Sequence, residues 1–286
     1  NQNAFMEIIF STNQDVNQFR YRIPFLNGEC KKNIGVVMDR LIKFTNDSLT
    51  ASYNLPYFDL QLREKNGSTV LNSFFKNNIY IMKGFKPYLD NNFAILQHNS
   101  ISRFTPKSFA LVNILSGTGN FQYKILKNEE EVFTSSNLFG YISTIQLSFE
   151  EYQASAGDYF TFELLTPGGK IAKSFIIYPE TDTSFEIVYE DSFGLKSVLN
   201  FTGNSVEEVR EINAVFESYQ KKSHYHFRKV NVSDEQSLTL NTGYVVNSQI
   251  LEVDELLNAT KAWLYVNGER KLSLIPKTKK IVKKDD

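Results

Sequence analysis

GDYFTFELLTPGGKIAKSFIIYP, residues 157–179, decides the fold class. Tyr159, Thr161 and Glu163 alternate with Phe160, Phe162 and Leu164. Period two is the pattern of a strand with one buried and one wet face. Pro167-Gly168-Gly169 supplies the turn, and Ala172 to Tyr178 runs back. A hairpin is expected, and similar units recur at roughly ten-residue spacing on both sides, the rhythm of a β-sandwich.

Working outward, GNFQYKILKNEEEVF reads as a second hairpin, and FALVNILSG and YISTIQLSF as further strands. In QFRYRIPF, Phe19, Tyr21 and Ile23 alternate with Arg20 and Arg22, and Asn27-Gly28 follows as a tight-turn dipeptide. YFDLQLREKNGSTV repeats that device at Asn66-Gly67, and IYIMKGFKPYL is expected to end near Gly84. Downstream, SFEIVYEDSFGLKSVLNFTG (184–203) reads as strand, corner at Phe193-Gly194-Leu195, and strand. Ser205-Val206-Glu207-Glu208 fits a capping box, and Val206, Val209 and Ile212 recur every three residues. A short helix is expected there, with strand as the competing reading. One helical turn is expected at Val253–Leu257, then a hairpin in AWLYVNGERKLSLIP with Asn267-Gly268 at its tip.

The expected fold class is mainly β: tandem immunoglobulin- or fibronectin-III-like β-sandwich domains with one or two short helices. The expected domains are an N-terminal β-domain at 1–103, an immunoglobulin-like sandwich at 104–180, and a C-terminal β-domain at 181–286, possibly incomplete. Arg103-Phe104-Thr105-Pro106 is read as the linker between the first two. Ala156-Gly157-Asp158-Tyr159 resembles the tyrosine corner of immunoglobulin-like folds, without their cysteine pair.

Composition agrees with strands. Among 286 residues there are 24 Phe and 15 Tyr, side chains that fit a pleated, half-buried surface. A net charge of −1 gives no overall footprint for nucleic acid or an anionic membrane. The one cysteine, Cys30, excludes an internal disulfide. No apolar run reaches the roughly 18 residues of a spanning helix.

Candidate chemistry is sparse. His224 and His226 share one face of a strand, a spacing open to a metal ligand pair or to a wet strand face. His98, the remaining histidine, is far away in sequence. Cys30 has no local base to make it a nucleophile. Glu129-Glu130-Glu131 sits at a hairpin tip, whereas glycosidase acids face each other across a cleft. Gly117-Thr118-Gly119-Asn120 lacks the Lys and helix of a phosphate loop. KTKKIVKKDD is a lysine-rich end without interleaved aromatics. No catalytic, cofactor or metal residue is assigned. The candidate interface residues are Phe193, as an exposed plug for a neighbouring subunit, with Trp263 and Tyr265 as aromatic contacts.

VYEDSFGLKSVLNFTG resembles a segment of tail-associated structural proteins of Bacteroidetes phages and prophages. ELLNATKAWLYVNGERKLSLIPKTKKI looks like the same group's closing unit, FSTNQDVNQFRYRIPFLNG its opening strand pair, and IYIMKGFKPY its Tyr-x-x-x-Gly strand. The resemblance implies a non-catalytic virion component of the tail or baseplate. It would be made in the host cytoplasm, without cofactor, and assembled with copies of itself and other tail proteins through β-edges and aromatic patches. Neither nucleic acid nor membrane is an expected partner. The chain lacks an initial Met and stops at KKDD, where that group continues, so a segment of a longer protein is expected. The alternative is a cell-surface module gripping glycan on aromatics such as Trp263 or Tyr265.

Overall fold

The computed structural model describes residues 4–13, 15–44, 48–84, 92–97, 100–181, 184–203, 206–221, 224–243, 249–266 and 269–274, with 15–17, 206–221, 224–238, 266 and 272 described by backbone. In chain order the elements are β1 (Ala4–Thr12), β2 (Asp15–Pro24), α1 (Gly35–Leu41), β3 (Ala51–Tyr53), β4 (Tyr57–Asn66), β5 (Thr69–Tyr80), β6 (Phe93–Ile95), β7 (Ile101–Phe104), β8 (Phe109–Ser116), β9 (Asn120–Lys127) and β10 (Glu130–Thr134). They continue with β11 (Leu138–Phe139), β12 (Ile142–Ser148), β13 (Tyr159–Thr166), β14 (Gly169–Ile177), β15 (Phe185–Glu190), β16 (Lys196–Phe201), β17 (Val206–Lys221), β18 (His224–Thr239), α2 (Ile250–Asn258), β19 (Ala262–Val266) and β20 (Glu269–Leu274). The protein is mainly β, in several antiparallel sheets, as its period-two patterning requires.

The N-terminal sheet has the order β2-β1-β4-β5. Its register sets Tyr21, Ile8, Leu62 and Phe74 in one row across the four strands. α1 lays Met38 on this face, in one cluster with Ile8, Phe10 and Phe58. Phe10 stacks on Phe19 with ring centroids 5.1 Å apart.

The middle sandwich pairs the sheet β10-β9-β13-β14-β7, with β11 added to β9, and the sheet β3-β12-β8-β6. Phe160, Phe162 and Phe175 are fully buried between them. The opening hairpin of the sequence reading is β13–β14, with Thr166 opposite Gly169 across Pro167-Gly168. Three strands of this sandwich come from residues up to 104: β3 pairs with β12, β6 with β8, and β7 runs parallel to β14. The expected linker is therefore corrected. Arg103 and Phe104 are strand residues, and Thr105 begins a tight turn closed by Ser108, whose hydroxyl donates to the Thr105 carbonyl at 2.7 Å.

β8 explains why FALVNILS reads as unbroken apolar sequence. It is covered on both sides, with seven of its eight residues buried. Ala110, Val112 and Ile114 belong to the sandwich side. Phe109 and Asn113 meet the C-terminal sheet, where the Phe109 and Tyr265 rings cross edge to face at 6.1 Å and Asn113 bonds the β16 backbone. That C-terminal sheet has the order β16-β15-β19-β20. α2 covers its other face through Leu256, which clusters with Ile187, Tyr189, Leu199 and Leu264.

One further expectation is corrected. Residues 206–212 are extended, as the start of β17, rather than helical. The pairing partner 224–239 supplies what local helix propensity cannot outweigh: a ladder of fifteen residue pairs from Val206 opposite Thr239 to Lys221 opposite His224. At the candidate tyrosine corner, Tyr159 is 38% exposed. Asp158 ties this corner, accepting from Asn128 Nδ2 at 2.9 Å and from the Ser155 amide at 2.8 Å. Asn27-Gly28 does form the expected tight turn, at φ 53° and 83°, and α2 extends the expected single turn to nine residues. His98, the Asn267-Gly268 tip and the lysine-rich end at 275–286 lie outside the described residues.

Candidate assembly surfaces

The corner at 191–195 is a joint within the chain. Gly194 takes φ +79°, a conformation that glycine adopts without steric cost. Asp191 organises the turn: Oδ1 accepts the Phe193 amide at 3.0 Å and the Leu195 amide at 2.9 Å. Its Oδ2 accepts from Ser197 Oγ at 2.9 Å and Asn113 Nδ2 at 3.2 Å. Thr144 Oγ1 donates to Asn113 Oδ1 at 2.7 Å and completes a buried polar chain from the sandwich to the corner. Burial pushes the Asp191 carboxyl up to about 7, against the opposing bonds from Leu195 and Ser197.

Phe193 is 1% exposed, which corrects its assignment as an outward plug. It fills a cluster with Ala94, Leu96, Ile142 and Leu195, flanked by Phe44 and Met82. Gly84, at φ +84°, backs the ring so closely that a Cβ there would lie 3.0 Å from Phe193 Cδ1. The aromatic plug exists, but its socket is in the same chain. Tyr265 is also buried, at 5%. Trp263 is half-buried, with the Lys196 ammonium 5.7 Å and the Arg270 guanidinium 5.1 Å from its ring. These two residues do not form an open stacking platform.

Two buried cations hold the C-terminal region against the sandwich. Lys173 of β14 pairs with Glu252 of α2 at 3.3 Å, and Ser102 Oγ donates to the same carboxylate at 3.2 Å. Burial lowers the Lys173 pKa, with Glu252 opposing. The adjoining cavity is about 10 Å³, room for one water rather than a ligand. Arg103 Nη2 donates to Thr202 Oγ1 and to the Thr242 carbonyl, both at 2.7 Å. Its guanidinium stacks 4.9 Å from the Tyr178 ring, and burial lowers its pKa. The Gly203 amide donates to the Asn241 carbonyl at 3.0 Å. The residue read as a linker thus clamps both feet of the β17–β18 ribbon.

Above that clamp, β17 and β18 pair with each other and with no other described strand. Sixteen residues at roughly 3.3 Å each make an arm on the order of 50 Å long. The histidine pair lies on it, with His224 opposite Lys221 and His226 opposite Tyr219. Among the described residues no group of three His, Cys, Asp or Glu could hold a metal ion.

The other unusual surface is β5. It is the outer strand of its sheet, and its burial pattern is exposed at eleven of twelve positions. Val70, Leu71, Phe74, Phe75 and Tyr80 are exposed by 45 to 60%. Edge strands in monomers are usually short, charged or covered. β5 is long and carries a single charge, Lys76. Register shifts bracket its centre, leaving Asn72–Lys76 as a regular stretch. The sequence reading expects β-edges and aromatic patches without singling out β5, because which strand lies outermost is a property of topology.

A groove of about 460 Å³ opens between the sandwich sheets, lined by Ser52, Phe121, Tyr123, Phe139, Thr144 and Gln146 among others. Phe139 stands at its rim, 75% exposed.

No protein-family model, curated protein or solved structure matches the chain.

Proposed function

We propose that the chain is a non-catalytic structural protein that acts by assembly through strand edges and aromatic patches. The observation that carries this reading is β5, a twelve-residue strand that pairs with β4 and with no other described strand, and that bears Phe74, Phe75 and Tyr80 in the open. Unpaired backbone groups beside exposed aromatics template another chain. The resemblance of VYEDSFGLKSVLNFTG and the closing unit to Bacteroidetes phage tail proteins extends the proposal to a tail or baseplate component of the virion. Sedimentation velocity across a concentration series, with negative-stain imaging, tests it. Multimers or rings are expected, and a chain that stays monomeric at every concentration refutes it.

A second reading, glycan binding, is supported by the open groove beside Phe139, whose lining is aromatic and neutral-polar. Affinity electrophoresis against a polysaccharide panel tests this reading. Retardation abolished by Phe139→Ala supports it, and migration unchanged in every gel rejects it.

A further inference from the structure

We propose that the β5 edges of two copies pair antiparallel across a two-fold axis at Phe74, joining their four-stranded sheets into one of eight strands. The inference rests on the assembly reading above and names the partner: a second copy, met edge to edge. Register is the first support. Irregular pairing with β4 brackets Asn72–Lys76, and Asn78, at φ 53°, gives its amide to Asp59 Oδ1 at 2.8 Å. The regular stretch has the usual length of a strand, and Phe74 is its middle. An antiparallel pair centred there sets Phe74 opposite Phe74, Ser73 opposite Phe75, and Asn72 opposite Lys76. Opposite residues of such a pair point to the same face. The row of Tyr21, Ile8, Leu62 and Phe74 therefore continues through the axis into the same row of the second copy.

Charge is the second support. Lys76 is the one charged residue of β5. On β4, Glu64 lies opposite Asn72 and accepts from its Nδ2 at 2.6 Å. The proposed register sets each Lys76 beside Asn72 of the other copy, one strand away from Glu64. At about 4.8 Å between strands, the two backbones are about 10 Å apart, a gap that two long side chains span. This match forms twice, once on each side of the axis, and the Phe74 pair keeps the two lysines apart. Centring the pair on Lys76 instead would set like charges face to face.

Area is the third support. Val70, Leu71, Phe74, Phe75 and Tyr80 are about half exposed. Aromatic side chains in that state leave on the order of 100 Å² each in water. Two copies that cover these side chains and the main chain between them remove on the order of 1,000 Å², the lower bound of a specific interface. The contact uses one patch twice, so it closes at a pair and leaves neither β5 edge open to further strands.

The test mixes full-length chains, one nitrogen-15-labelled and one unlabelled, and couples carboxylates to amines with a zero-length carbodiimide. A peptide joining Lys76 of one isotope to Glu64 of the other is expected. In sedimentation velocity, Lys76→Glu is expected to weaken association at least about tenfold, and Lys76→Glu with Glu64→Lys to restore it. Phe74→Glu, which sets two carboxylates against each other at the axis, is expected to weaken it at least as much. Both positions are exposed, and an unchanged circular dichroism spectrum shows that the fold is kept. A Lys76→Glu loss that Glu64→Lys leaves unrepaired overturns the register. Lys76→Glu and Phe74→Glu chains that associate at parent strength, without the isotope-mixed peptide, overturn the edge pairing and leave the assembly reading standing. A full-length chain that stays monomeric at every concentration overturns both.

Discussion

Asn113 Nδ2 lies 3.2 Å from Asp191 Oδ2, and both side chains are buried. One residue belongs to the central strand of the sandwich, the other to the corner of the C-terminal sheet. The bond joins regions 78 residues apart in sequence.

Burial of Asp191 is expected to make the fold less stable as pH rises, although the bonds that the side chain accepts favour its ionised form. The Asp191 carboxyl sits at about 7, chiefly through burial, so the folded chain holds its proton more tightly than the unfolded one. Its contribution to stability is complete below about pH 4 and is lost as pH passes through 7. Glu186, raised to about 7 by burial and then by Glu180, acts in the same direction. The urea midpoint should fall between pH 5 and pH 8, and Asp191→Asn should fall less steeply. Parallel pH profiles for the two proteins would contradict the assignment.

Phe193→Ala is expected to cost about 3–5 kcal/mol, the range for emptying a buried aromatic site. Gly84→Ala should cost about 1–3 kcal/mol, since it combines positive φ with a Cβ 3.0 Å from the Phe193 ring. The two losses should fall short of additive, because Phe193→Ala removes the atoms that the new methyl would strike. Equilibrium denaturation of the single and double variants measures this. Full additivity would mean that the contact is not the source of the cost.

Breaking the Lys173–Glu252 pair from one side should be worse than removing it. Glu252→Leu takes the paired carboxylate from a buried ammonium and is expected to cost about 3–5 kcal/mol, whereas Lys173→Met with Glu252→Leu should recover most of that. Thermal unfolding of the two variants beside the parent chain decides. A double variant as unstable as Glu252→Leu alone would show that the pair itself contributes the stability.

Much of the strand content could be read locally. Tyr159 to Leu164 alternates so cleanly that β13 follows from period two, and Asn27-Gly28 fixes its own turn. The corner at Phe193-Gly194-Leu195 was also legible, as was α2. Its socket was not, since Phe44, Met82, Gly84 and Ala94 reach Phe193 through tertiary packing. The same reason hid Arg103. Its neighbours Thr202 and Thr242 lie about a hundred residues or more away, so the residue looked like punctuation between domains. Helix periodicity at Val206, Val209 and Ile212 misled because a long partner strand follows, and a three-residue repeat is weak beside a ladder of that length.

The order in which the chain is made sets a delay. Ser52 on β3 meets Ser143 on β12 across 91 residues, with the hydroxyls 3.0 Å apart. At typical elongation rates the ribosome needs on the order of ten seconds to supply that partner. During the wait β3 has no neighbour, and β7 waits in the same way for β14. A nascent chain of this kind depends on shielding by the ribosome or a holdase until the later strands emerge, and slowing translation lengthens its most vulnerable interval.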